Sequence, residues 1–307
     1  MQKTFSALLF ALILSIITLP ALAKAGPITF AVPPWPGAMV KAEIAIQVLE
    51  AIGFTTSKTS MEAKEAYAAL ENGQVDVFMS AWLPLQKEML MPLITEKKVH
   101  IAGVNVAHAR TGLCVPGYVE AAGVQSIADL APNAAKFNST IQNLEAGSGI
   151  HNVVNELIQN NFEGLGSWKQ EGDPIDLMMK HIIASFKEKK WIVFGCWEPH
   201  WMNITLDMRY LKGDKGSGML TAPNEVNTIV SSIVKKDYPD PYLFLSRINI
   251  DKQTQGKWTY DVSIKKQTVE ETATYWIKGH LNIVRQWLGN TKAATGERAV
   301  DVIQTKF

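Results

Sequence analysis

Cysteine is scarce: the 307 residues hold only Cys114 and Cys196, too few for a four-cysteine zinc ribbon. An excess of charge is missing too, since 30 Lys and Arg against 29 Asp and Glu leave a formal net charge of +1. No segment carries the basic stripe that a nucleic-acid backbone demands, so nucleic acid is not an expected partner. There is no G-x-S-x-G elbow and no H-E-x-x-H, so neither a hydrolase nucleophile nor a metalloprotease ligand pair is on offer. No cofactor and no metal site is therefore expected. A solenoid-type internal repeat is also absent.

What is present begins with a leader. Residues 1–25 carry Lys3, an apolar run over 5–22, and the small-residue pattern Ala21-Leu22-Ala23, the layout of a cleavable secretory signal. Cleavage is expected after Ala23 or Ala25. No cysteine lies near that junction, so a lipid anchor is not expected and the mature chain is read as exported to a periplasm. In that oxidising setting Cys114 and Cys196 form a disulfide or remain as two buried thiols; the sequence leaves both open.

Strand and helix alternate after the leader. A strand at 28–32 meets the turn P-P-W-P-G and a helix over 38–52 with Val40, Ile44, Val48 and Ala51 on one face. A strand at 54–58, a helix at 63–71 and a strand at 75–80 follow, the last delivering Trp82 just past its end. Such alternation predicts an α/β fold with a mainly parallel sheet flanked by helices, and ligands of such sheets gather at the carboxyl ends of the strands. The polar stretch 108–111 is a crossing to a second lobe, and the glycine-rich run 212–218 is a crossing back. The expected organisation is a first lobe of 26–108 and 216–307 wrapped around an inserted lobe of 109–215. Three helical patterns close the chain, with Trp276 and Trp287 assigned to packing.

The inserted lobe contains the stretch 191–201, W-I-V-F-G-C-W-E-P-H-W, an apolar strand ending in more side-chain chemistry than a turn requires. Either its aromatics wall a site or Trp197 and Trp201 cover a core edge. The other tryptophans decide. Trp35, Trp82 and Trp197 each follow a strand and stand beside proline, as W-P, W-L-P and W-E-P, which restrains the turn that holds each indole. Three rings around one cleft suit a quaternary ammonium, each contributing about 0.5 to 2 kcal/mol when desolvated.

At these residues the chain resembles the solute-binding proteins of glycine betaine, choline and carnitine ABC transporters. The resemblance rests on residues 76–84, D-V-F-M-S-A-W-L-P, on 192–202, I-V-F-G-C-W-E-P-H-W-M, and on the strand ending in Trp35. It implies a two-lobed periplasmic-binding-protein fold with a ligand cleft between the lobes, and tryptophan walls at Trp35, Trp82 and Trp197. It also implies a monomer that passes a small quaternary ammonium ligand to the transmembrane subunits of an ABC permease. Choline-specific members of the family have tyrosine where Thr111 stands, aspartate where Gly37 stands and asparagine where Ser148 stands. The missing carboxylate at Gly37 removes repulsion against a ligand carboxylate. The N–H groups of Gly37, Ala38 and Met39, at a helix start, are candidates to bind that carboxylate. His200 is a further candidate, against the plainer reading of a histidine bonded within its own lobe. Glycine betaine or a related betaine is therefore favoured over choline or carnitine. An enzyme using Glu198 and His200 on a choline ester is the rival, and it lacks a nucleophile.

Overall fold

A computed structural model describes residues 26–213, Leu220 and 222–307. The expected leader, 1–25, and most of the glycine-rich crossing lie outside the described residues. The strands are β1 (Ile28–Val32), β2 (Thr56–Ser60), β3 (Val77–Leu83), β4 (Val99–Pro116), β5 (Thr140–Leu144), β6 (Lys169–Asp173), β7 (Val193–Glu198), β8 (Met208–Tyr210) and β9 (Asn224–Ser231). They join in the order β2-β1-β3-β9-β4-β7-β5-β6, with β8 beside β4.

One strand belongs to both halves of this sheet. Residues 99–109 of β4 pair with β9, whereas 110–114 pair with β7. β1 runs parallel to β2 and β3, and β5 runs parallel to β6 and β7, so each half is mainly parallel. The exceptions are β9 in the first half and β4 in the second, both antiparallel to their neighbours. The reason is geometric. Strands of both halves point their carboxyl ends at the cleft, so a strand that crosses the cleft must run against the set it enters.

β4 runs unbroken through 108–111, with His108 in the left-handed region at φ 54°. β3 likewise continues past residue 80, so Trp82 lies inside the strand opposite Val226, not beyond its end. Trp197 is also within a strand, opposite Thr111.

Two large apolar clusters fill the halves. One packs Phe30, Ile44 and Val48 against a tryptophan group in which Trp276 meets Trp258 edge-on at 5.3 Å and stacks on Trp287 at 5.4 Å. The other gathers Ile141, Val153, Met178, Ile182 and Phe194. Cys114 and Cys196 are bonded to each other across β4 and β7, with Cα atoms 5.8 Å apart, which resolves the choice the sequence left open.

Candidate functional site

The three tryptophans read from sequence line one cavity. Trp35 precedes the helix Pro36–Ala51, whose proline sits in the first turn where a missing N–H costs nothing. Trp82 is steadied by Gln86, whose Oε1 accepts from the Trp82 N–H at 3.1 Å and from the Tyr67 hydroxyl at 3.0 Å. Trp197 is only 8% exposed and is backed by the His200 ring, 5.0 Å between centroids. No aspartate or glutamate lines this cavity among the described residues. A cation placed there meets ring faces and no carboxylate.

The start of the first helix supplies a polar end. Gly37 and Ala38 line the cavity, and their N–H groups belong to the first turn, which helix geometry leaves without intrahelical acceptors. Met39 does not fit the expectation. Its N–H donates to the Trp35 carbonyl at 2.9 Å, and the residue is absent from the cavity wall. The helix has closed its first bond one position earlier than the sequence reading assumed.

His200 lies against the same cavity and is 2% exposed. Its Nδ1 accepts the Met202 N–H at 3.3 Å, which leaves the ring proton on Nε2. Nε2 is buried without a partner. Burial lowers the imidazole pKa to about 3, so the ring is neutral and offers one unused donor. It bonds within its own turn and also faces the cavity, uniting two readings the sequence held apart.

Thr111 and Ser148 also line the cavity. The Thr111 hydroxyl accepts from Asn224 Nδ2 at 3.1 Å, and Ser148 caps the helix Gly149–Gln159 by accepting from the His151 N–H at 3.4 Å. Both hydroxyls keep a proton to donate.

Sequence reasoning missed Lys41, Gln86, Gln255 and Thr259, all on the cavity wall. Lys41 carried a readable signal, since it lies four residues after Gly37 on the same helical face. Gln255 and Thr259 did not, because they come from the distant helix Lys252–Ser263. That helix docks on the turn after β7: the Trp201 N–H donates to Thr259 Oγ1 at 2.8 Å, and Lys252 pairs with Glu198 at 2.9 Å. Glu198 is thus an ion-pair partner and does not line the cavity. Among the described residues no cluster of three or more His, Cys, Asp or Glu is placed to hold a metal, and no helix is long and apolar enough to cross a membrane.

Residues 26–279 match the family described as the substrate binding domain of the ABC-type glycine betaine transport system. The glycine betaine/carnitine transport binding protein GbuC of Listeria monocytogenes is 26% identical over 174 residues, 55% of this chain and 57% of that protein. Among solved structures, lactococcal OpuAC in a closed, liganded conformation with glycine betaine is 28% identical, with a TM-score of 0.77 over 86% of this chain and all of that one (100%). An ABC-transporter choline binding protein in complex with choline shares the fold at a TM-score of 0.87 and 21% identity, over 91% of this chain and 97% of that one.

Proposed function

Because the chain belongs to the substrate-binding domains of ABC-type glycine betaine transport systems, we propose that it captures a betaine zwitterion between two lobes and delivers it to a membrane permease. One observation carries this reading: three indoles line a cavity that no aspartate or glutamate lines among the described residues, and helix-start residues and His200, with its unpartnered Nε2, line the same cavity. The rings take the trimethylammonium, and Gly37, Ala38 and His200 take the carboxylate. Ser148 and Thr111 line the same cavity. The protein binds and releases without catalysing, working as a monomer after export to the periplasm. The disulfide and the leader pattern both support that location.

The lobes are 26–108 with 216–307, and 109–215. The exchange of β4 partners between Ala109 and Arg110 supports this division. Trp35 and Trp82 then belong to one lobe and Trp197 to the other, so a ligand touching all three favours closure.

Titration of purified protein, followed by tryptophan emission and calorimetry, tests the reading. Glycine betaine should bind with micromolar affinity and choline about tenfold or more weaker. No heat and no emission change with any quaternary ammonium would sink the reading, and tighter binding of choline would sink the zwitterion assignment.

Closure also brings two carboxyls together. Burial, and then the neighbouring Glu62 carboxyl, push the Glu145 pKa from 4.5 up to about 7, with the Trp35 indole beside them. Gly147, two residues on, lies against the Lys64 side chain. When the lobes part, Glu145 returns toward its ordinary value, so the closed form holds the extra proton. A pKa raised in the closed form favours closure fully below the ordinary value and loses that contribution as pH rises through about 7. Affinity for glycine betaine should therefore fall, by about tenfold, as pH is raised from roughly 5 to 7.5. Glu145→Gln should flatten this slope, and an unchanged slope in that variant would remove Glu145 as its source.

A further inference from the structure

We propose that Lys41 selects ligands that carry a carboxylate, its ammonium being the buried counter-charge for that group. The inference rests on the reading of a quaternary ammonium in the tryptophan walls. Lys41 is 1% exposed and lines the cavity one helical turn beyond Gly37. Its Nζ donates to Asn105 Oδ1 at 2.6 Å. The Asn105 amide is held in place, since Nδ2 donates to the Met79 carbonyl at 3.0 Å and to Thr228 Oγ1 at 2.9 Å. That bond uses one of three ammonium donors. No carboxylate pairs with Lys41 among the described residues. Glu43, on the same helix, is turned to Lys58 at 2.7 Å and to Gln47 at 3.0 Å.

A buried ammonium without a counter-ion is expensive, and it is kept neutral or paired. Burial lowers the Lys41 pKa to about 7, so at neutral pH its charge is poised and not secured. A ligand carboxylate entering the polar end would secure it. Choline brings no such group, and its cation would share the cavity with a second positive charge. Gly37, Ala38 and His200 donate to a carboxylate and, less strongly, to a hydroxyl, whereas an ammonium adds a full charge to that preference.

The test compares two ligands on the wild type and on Lys41→Met, which keeps the apolar stem and removes the charge, with thermal melts of both proteins. Lys41→Met should weaken glycine betaine about thirtyfold or more and leave choline within about threefold, or tighten it. Equal weakening of both ligands would make Lys41 a structural residue, and unchanged glycine betaine binding would remove it from the site. If the wild type binds neither ligand, the quaternary ammonium reading itself fails.

A second measurement needs no variant. Lys41 is held to Asn105 within its own lobe, so on this proposal its ammonium stays buried when the lobes part. At about pH 8.5, calorimetry of the wild type in buffers of different ionisation heat should therefore show proton uptake with glycine betaine and none with choline. His200 stays neutral there and Glu145 is ionised, so the proton reports Lys41. The absence of uptake would overturn the proposal even if the variant fails to fold.

Discussion

Trp197→Ala lowers the affinity for glycine betaine by roughly a thousandfold. The indole stands at the carboxyl end of β7, 8% exposed and fixed from behind by the His200 ring. Removing it costs the attraction between ring and cation, about 2 kcal/mol in a desolvated site. It also costs the apolar contact with the methyl groups, about 2 kcal/mol more. Together these approach 4 kcal/mol, or three powers of ten. The ring faces the cavity, so its loss opens space to solvent instead of a dry void, and the fold persists. Trp197→Phe keeps a ring and should recover most of the affinity. Calorimetric titration of the three proteins decides the matter: a loss below about tenfold for the alanine variant would return Trp197 to packing.

Gly37→Asp should be as damaging to glycine betaine and harmless to choline. A side chain at this position meets Gln255, with Nε2 at 3.0 Å and Cγ at 3.1 Å from the new Cβ. The glutamine occupies the room that an aspartate would need, but it is the end of a side chain and can move. The charge is the larger effect. A carboxylate beside the first-turn N–H groups faces the ligand carboxylate, and like charges in a closed site cost several kcal/mol. Glycine betaine affinity falls by about a thousandfold, while choline gains an acceptor for its hydroxyl and an attractive charge. Gly37→Ala separates the causes, because it adds bulk without charge and should cost only a few-fold. Equal losses from alanine and aspartate would show crowding, not charge, to be at work.

The tryptophan walls were legible because each is a local event: an apolar run, then an indole, then proline. The first helix was legible for the same reason, although its register at Met39 was misjudged by one bond. What stayed hidden is what only distance in sequence brings together. Gln255 touches Gly37 across more than two hundred positions, and no periodicity marks it. β9 was overlooked because Asn224, Asn227 and Thr228 break the apolar pattern expected of a central strand. All three are buried and hydrogen-bonded: Asn224 donates to Thr111, Asn227 donates to the Glu225 carbonyl, and Thr228 accepts from Asn105. Polar residues at 108–111 mark the place where a strand passes a cleft, and the backbone ladder continues beneath them. The disulfide was undecidable in advance, since two apolar strands holding one cysteine each describe a bridge and a pair of thiols equally well.

The place of β9 in the sheet also dictates the order in which the molecule can be assembled. It lies between β3 and β4, yet it is last of the nine in the chain. The strands of the second half and both cysteines are in place by Tyr210. A chain emerging from its amino end can therefore oxidise and finish the later half first, while β3 and β4 wait with facing edges unpaired. The earlier half is the slower one to close, and the gap between β3 and β4 is where a newly made molecule is most exposed to pairing with a neighbour.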